Sequence, residues 1–286
     1  MINVNFRVRP AVIRDQQQIA NLMFFETHVH RHLDWRTPLE WLGSPFYWVV
    51  ENGSQIIAAL ACPQDPPGIA WVRLFAHAGH FSLKETWDAL WQTASQDLSQ
   101  AGGATVAVIA LHDWLRDLVQ ASGFDSTQEI VMLEWSGLTL PQIMMPTGIF
   151  IRSMTVQDLP VVAEVDEVAF GPIWQNSLPA LSKAFSQAGF ATLAEMDGRI
   201  IGYQISTQNP FGAHLARLAV RPTLQGKGIG AALVADLTAE LLRRGLTRLT
   251  VNTQDDNKAS LALYGRMGFR RTGEHYPVFT LEVPAE

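Results

Sequence analysis

The residues of this chain best placed to do chemistry lie in one stretch, LAVRPTLQGKGIGAAL at positions 218–233. An apolar run halted by Arg221-Pro222 reads as a strand; Gly226, Gly228 and Gly230 follow, and an apolar-faced helix begins. In a strand, glycine-rich loop, helix arrangement, successive backbone N–H groups and the positive helix end converge on an anion, for which phosphate is the natural ligand. Glycine admits positive φ and lets a ligand approach the backbone, and Lys227 adds a charge nearby. The alternative is that the glycines serve only a tight turn. Gly226-Lys-Gly228-Ile-Gly-Ala231 also satisfies the dinucleotide pattern G-x-G-x-x-A, but such a loop should follow the first strand of a doubly wound domain, and this one follows a hairpin. A nucleotide-triphosphate loop fails, because Gly228 rather than Ser or Thr follows Lys227.

The elements that must hold this loop can be read around it. Residues 150–152 form a strand, and Asp158 can cap a helix through 168 with Val161, Val162, Val165 and Val168 at helical spacing. A second helix covers 179–187. Asp197-Gly198 marks a hairpin between strands 191–195 and 199–207. Strand 215–220 precedes the glycine loop, helix 228–244 follows and ends at Gly245, and strand 249–252 leads to helix 259–267, stopped by Gly268. Strands 270–272 and 278–283 close the order β-α-α-β-β-β-α-β-α-β-β, a mixed α/β domain.

That order recurs weakly in the first half. Arg9 to Asp15 matches Arg152 to Asp158 at a spacing of 143 (152 − 9), and Gly123-Phe124 matches Gly268-Phe269 at 145 (268 − 123). A duplicated domain follows. Its expected boundaries are 1–135 and 149–286, with 136–148, which holds Pro141, Pro146 and two glycines, as linker. A chain of 286 residues suits two domains of ordinary size.

With Gln225, Gly228 and Gly230 in [Q/R]-x-x-G-x-[G/A] register, and Asn257, Ala259, Leu263-Tyr264 and Gly268-Phe269 about 30 residues on, the second half resembles the GCN5-related N-acetyltransferase (GNAT) superfamily. The resemblance implies two tandem acyl-CoA N-acyltransferase folds and acetyl transfer from acetyl-CoA to an amine. It implies that the pyrophosphate rests on the N–H groups of Gln225, Gly226, Lys227, Gly228, Ile229, Gly230 and Ala231. The pantetheine arm would pair with Leu218 and Val220, with Asn257 on its other side. Tyr264 takes the family's general-acid position, and a phenol near pKa 10 is protonated at neutral pH; the alternative is a core tyrosine. His214 stands where some members carry a glutamate base, and Glu195 acting through water is a second candidate. A non-catalytic acyl-CoA-binding module is the alternative function.

By the 145 spacing, Gln225, Gly228, Gly230, Asn257 and Tyr264 fall on His80, Leu83, Glu85, His112 and Val119. The first copy therefore lacks the motif and is expected not to catalyse. His28, His30 and His32 suggest a metal tract, but read as a helix only His28 and His32 share a face, and no metal is expected. A net charge of −6 argues against nucleic-acid or anionic-membrane binding. The lone Cys62 excludes an internal disulfide, and no apolar run suits a membrane span or signal peptide, so a cytoplasmic protein is expected.

Overall fold

The computed structural model describes residues 7–139, 143–144 and 146–286. The expected linker therefore lies partly outside the described residues. The chain forms two compact units, one of residues 1–127 with 277–286 and the other of residues 128–276.

In the first unit the chain runs through β1 (Arg7–Pro10), α1 (Gln16–Phe25), β2 (His28–Arg31), β3 (Tyr47–Asn52), β4 (Gln55–Ala61), β5 (Ile69–Trp71), β6 (Leu74–His77), α2 (Leu83–Gln100), β7 (Ala104–Ile109) and α3 (Asp113–Ala121). Strand β8 (Asp125–Ser136) begins here and continues into the second unit. The second unit continues with β9 (Ile149–Ser153), α4 (Leu159–Ala169), α5 (Leu178–Ser186), β10 (Phe190–Met196), β11 (Arg199–Asn209), β12 (Gly212–Val220), α6 (Ile229–Arg243), β13 (Arg248–Gln254), α7 (Lys258–Arg266) and β14 (Arg270–Val283). The Asp197-Gly198 hairpin forms as read, with φ of 50° and 72° at its two turn residues.

Two expectations about boundaries are corrected. Strand 130–135, read as the end of the first copy, pairs antiparallel with β13, because Val131, Leu133 and Trp135 bury their side chains in the core under α6 and α7. The two last strands are one, β14, whose residues beyond Pro277 pair with β7 and bring Phe279 and Val283 into the first unit's core. Each unit is thus completed by a strand from the other half of the sequence. The first unit also departs from the shared order: where the second has α5, it has β2 and a 3-10 turn, Pro38–Trp41.

Both units close their last helix in the same way. Gly268 at φ 85° lets Phe269 N–H reach Tyr264 C=O at 2.9 Å and Gly268 N–H reach Gly265 C=O at 3.1 Å, a Schellman closure whose apolar contact joins the residues at its two ends. Those residues are Tyr264 and Phe269, with ring centroids 5.3 Å apart. Gly123, Phe124 and Val119 repeat the bonds without the phenol.

Candidate acyl-CoA site and its occluded counterpart

In the second unit β12 and β13 run parallel only from Ala213↔Leu249 to Leu215↔Val251. Both strands continue, to Val220 and Gln254, so they part. The parting starts at a bulge, where the pairing of β12 with β11 skips Ala216 between Leu215 and Arg217; a bulge bends its strand. Arg221 N–H bonds to Ile201 C=O, so by antiparallel alternation Arg217, Ala219 and Arg221 address β11. The backbone groups of Leu218 and Val220 therefore face the gap left by β13, as an extended amide-bearing arm requires.

The loop after β12 is shaped as an anion cradle. Gly226 and Gly228 have φ of 77° and 84°, and Gly228 is the N-cap of α6. Among the described residues, the N–H groups of Gly226, Lys227, Gly228, Ile229, Gly230 and Ala231 have no acceptor; the helix's own bonding starts with Ala232 N–H to Gly228 C=O, 2.9 Å. These groups fit a pyrophosphate. Gln225 differs from expectation. Its N–H is directed at Pro222 C=O, 3.3 Å, and its side-chain amide donates to Val220 C=O at 3.0 Å. It fastens the loop to the strand end and takes up one of the carbonyls facing the gap. At Gly230 a Cβ would lie 3.2 Å from Leu263 Cδ2, so α6 and α7 approach closely there.

Asn257 caps α7, its Oδ1 accepting from Ser260 N–H at 3.0 Å, which leaves its Nδ2 for a ligand. Two turns on, Tyr264 is buried, and burial raises the phenol's pKa above its ordinary value. Its hydroxyl has no partner among the described residues. His214 lies one residue before the parting, with Nδ1 2.9 Å from Thr250 Oγ1. Burial lowers its pKa, so the imidazole is neutral at pH 7.

Glu195 is placed elsewhere. It sits at a bulge near the β10–β11 turn, and its Oε1 accepts from Arg152 Nε at 2.9 Å, while the Arg152 terminal nitrogens clasp Asp158 at 2.8 Å each. The first unit repeats the trio at Arg9, Asp15 and Glu51, with Glu51 again at a bulge. The same trio stands in the copy without the motif, so this ion pair belongs to the fold that both units share. Glu195→Gln is expected to leave kcat unchanged and to lower stability by about 1 kcal/mol or less, since the pair is partly solvated; kinetics and thermal melting check this.

In the first unit β5 and β7 pair in parallel from Ile69↔Thr105 to Trp71↔Ala107 and part in the same way. Here the gap is filled by the chain itself. β2 pairs antiparallel with β6, with His28↔His77, Val29↔Ala76, His30↔Phe75 and Arg31↔Leu74 in register. Ala78 N–H bonds to Ile57 C=O as Arg221 does to Ile201, so Phe75 and His77 are the counterparts of Leu218 and Val220, and β2 takes up their free edge. The loop from strand to helix is also shorter, residues 78–81 before the N-cap Ser82 against 221–227 before Gly228. Gly228 thus matches Ser82 rather than Leu83, and Glu85 matches Ala231. Ser82 Oγ accepts from Glu85 N–H at 3.3 Å, which caps the helix internally and leaves a carboxylate in its first turn. The three histidines lie on extended chain, and the described residues contain no group of three His, Cys, Asp or Glu side chains able to hold a metal.

Sequence reasoning missed a buried polar cluster on the opposite face of β12. Asp166 of α4 accepts from Arg217 Nε and Nη2, 2.7 Å each, from Tyr203 Oη and from Asn176 N–H at 2.7 Å. The available signal was an Asp on the apolar stripe of a helix, four residues after Val162 and three before Ala169.

A strand gap with an open inner edge at Leu218 and an unbonded N–H cradle at its end have the shape that an extended, phosphate-bearing ligand requires. Residues 159–269 match the model of the Acetyltransferase (GNAT) family. The mycothiol acetyltransferase of Streptomyces coelicolor is 32% identical over 223 residues, 72% of this chain and 69% of that protein. The mycothiol acetyltransferase of Streptomyces avermitilis is 31% identical over 172 residues, 55% of each chain. Among solved structures, a tandem GNAT protein from the clavulanic acid biosynthesis pathway superposes with a TM-score of 0.66, at 16% identity, over 99% of this chain and all of that one. The chain belongs to the GNAT family and is an acetyl-CoA-dependent acetyltransferase. No helix among the described residues is long and apolar enough to cross a membrane.

Proposed function

We propose that residues 128–276 transfer the acetyl group of acetyl-CoA directly to a primary amine, and that the first unit does not catalyse. The observation that supports this most is the parting of β12 from β13 with Leu218 and Val220 turned into the gap, the N–H cradle at one end and Tyr264 on the flanking helix. Gly226 to Ala231 would hold the pyrophosphate, Leu218 and Val220 would pair with the arm, and Asn257 Nδ2 would bond it from the other side. During transfer a C–N bond forms and the thioester C–S bond breaks; the amine gives up a proton and the departing thiolate takes one. Neutral His214 is suited to receive the first, directly or through water, and Tyr264 to supply the second.

The relatives' name makes a mycothiol-related amine the first acceptor to test, alongside polyamines, aminoglycosides and peptide N-termini. The expected outcome is release of free CoA thiol from acetyl-CoA that depends on one of these amines and tracks formation of its acetamide. Tight acetyl-CoA binding with no turnover on any amine would instead favour a non-catalytic acyl-CoA-binding module.

A further inference from the structure

The helix pair α6 and α7 covers one face of the second unit's sheet, so an amine must reach the strand gap from the face of α4. Arg217 and Leu218 fix the two faces: Arg217 bonds to Asp166 of α4, and Leu218 packs with the apolar side of α6. On the α4 face one residue is held from both ends. Trp174, in the segment between α4 and α5, gives its carbonyl to Arg217 Nη2 at 2.5 Å and its indole N–H to Gln128 Oε1 at 2.9 Å. Arg217 stands on β12 just past the bulge, and Gln128 stands on β8. In the strand order β8, β13, β12 these two flank β13, so Trp174 spans the place where β12 and β13 part.

We propose that Trp174 is a wall of the acceptor site and that Gln128 is a positioning residue for it, a reading that rests on amine transfer by this unit. The indole is half-buried, with its orientation set by a hydrogen bond at each end of the residue. A guanidinium 3.6 Å over the Phe170 ring steadies the start of the same segment. Gln128 also links the two sides of the reaction. Its Nε2 donates to Asp256 Oδ2 at 3.2 Å, and the next residue, Asn257, caps the helix that carries Tyr264. On the same side of β13, Asn252 Oδ1 is buried with no partner among the described residues. Thr250 and Asn252 alternate with Leu249 and Val251, which face α6.

The test compares Gln128→Leu, Trp174→Phe and the double variant on any amine the wild type acetylates. Each single variant is expected to raise the acceptor KM about ten-fold with kcat and the KM for acetyl-CoA within two-fold, about what one lost hydrogen bond accounts for. The double variant should be no worse than the poorer single one, because both remove the same bond. Gln128→Glu combined with Asp256→Asn, whose amide donates to the new carboxylate, keeps an acceptor for the indole N–H and should restore the acceptor KM. Unchanged acceptor KM in both single variants, additive effects, or equal loss of acetyl-CoA affinity would overturn the assignment. Absence of turnover by the wild type on every amine would sink the transfer reaction itself, a distinguishable result.

Discussion

Replacing Tyr264 by phenylalanine is expected to lower kcat by about two to three orders of magnitude, the usual worth of a positioned general acid, while leaving acetyl-CoA affinity and thermal stability nearly unchanged. The separation of effects follows from how the residue is built in. Its ring belongs to the Schellman closure of α7 and packs on Phe269, and the phenylalanine ring preserves that contact. The hydroxyl has no partner among the described residues, so its removal orphans nothing in the fold. The first unit shows that the closure does not require the hydroxyl, since Val119 occupies the same position there. Burial holds the phenol's pKa above its ordinary value, so the wild type should keep its proton donor past pH 10. The acid limb should lie below pH 6.5, because burial lowers the pKa of His214. A kcat/KM profile against pH checks both limbs. Full activity in the phenylalanine variant would remove Tyr264 from the mechanism.

What could be read from the residues, and what could not, divides along the range of the forces. The glycine loop, the Asp197-Gly198 hairpin, the two Gly-Phe closures and α6 are local, each set by a few adjacent residues whose φ preferences or periodicity decide the outcome. The exchange of β8 and β14 is not local. Val131, Leu133 and Trp135 alternate as any half-buried strand does, and nothing in that alternation says which core receives them. β2 was hidden for the same reason: HVHR has no propensity that marks a strand, and it is extended because β6 offers an open edge. Arg9 and Arg152 were visible as repeat landmarks, but their ionic partners were not, because Glu51 and Glu195 lie some 40 residues away in sequence and meet them only through the pairing of β1 with β3 and of β9 with β10. Glu195 illustrates this: a carboxylate on a strand reads as a candidate base, and only the fold brings Arg152 against it. Trp174 and Gln128 are likewise brought together by the exchanged strand.

The occluded gap of the first unit leads to the second large effect: one acetyl-CoA should bind per chain, and Ala231→Glu should abolish that binding. The substitution copies into α6 what the first unit already has at Glu85, a carboxylate three residues after the N-cap. A negative side chain there suits the helix, whose first turn favours acids by about 0.3–1 kcal/mol, which offsets part of the cost of placing Glu where Ala231 packs half-buried on the core, so the variant should still fold and melt cooperatively. The same charge faces the N–H groups of Gly226 to Ile229, which a pyrophosphate would need, and repels that anion. Calorimetric titration of acetyl-CoA should therefore give a stoichiometry near one for the wild type, and affinity reduced at least about 100-fold in the variant, a loss of about 2.7 kcal/mol. A wild-type stoichiometry of two would mean that β2 yields its place on β6 to the cofactor. One site surviving at full strength in Ala231→Glu would mean that the first unit binds acetyl-CoA despite its shorter loop and internally capped helix. Either outcome would reverse the division of labour between the units, which rests on β2 holding the edge that Leu218 and Val220 leave open in the second.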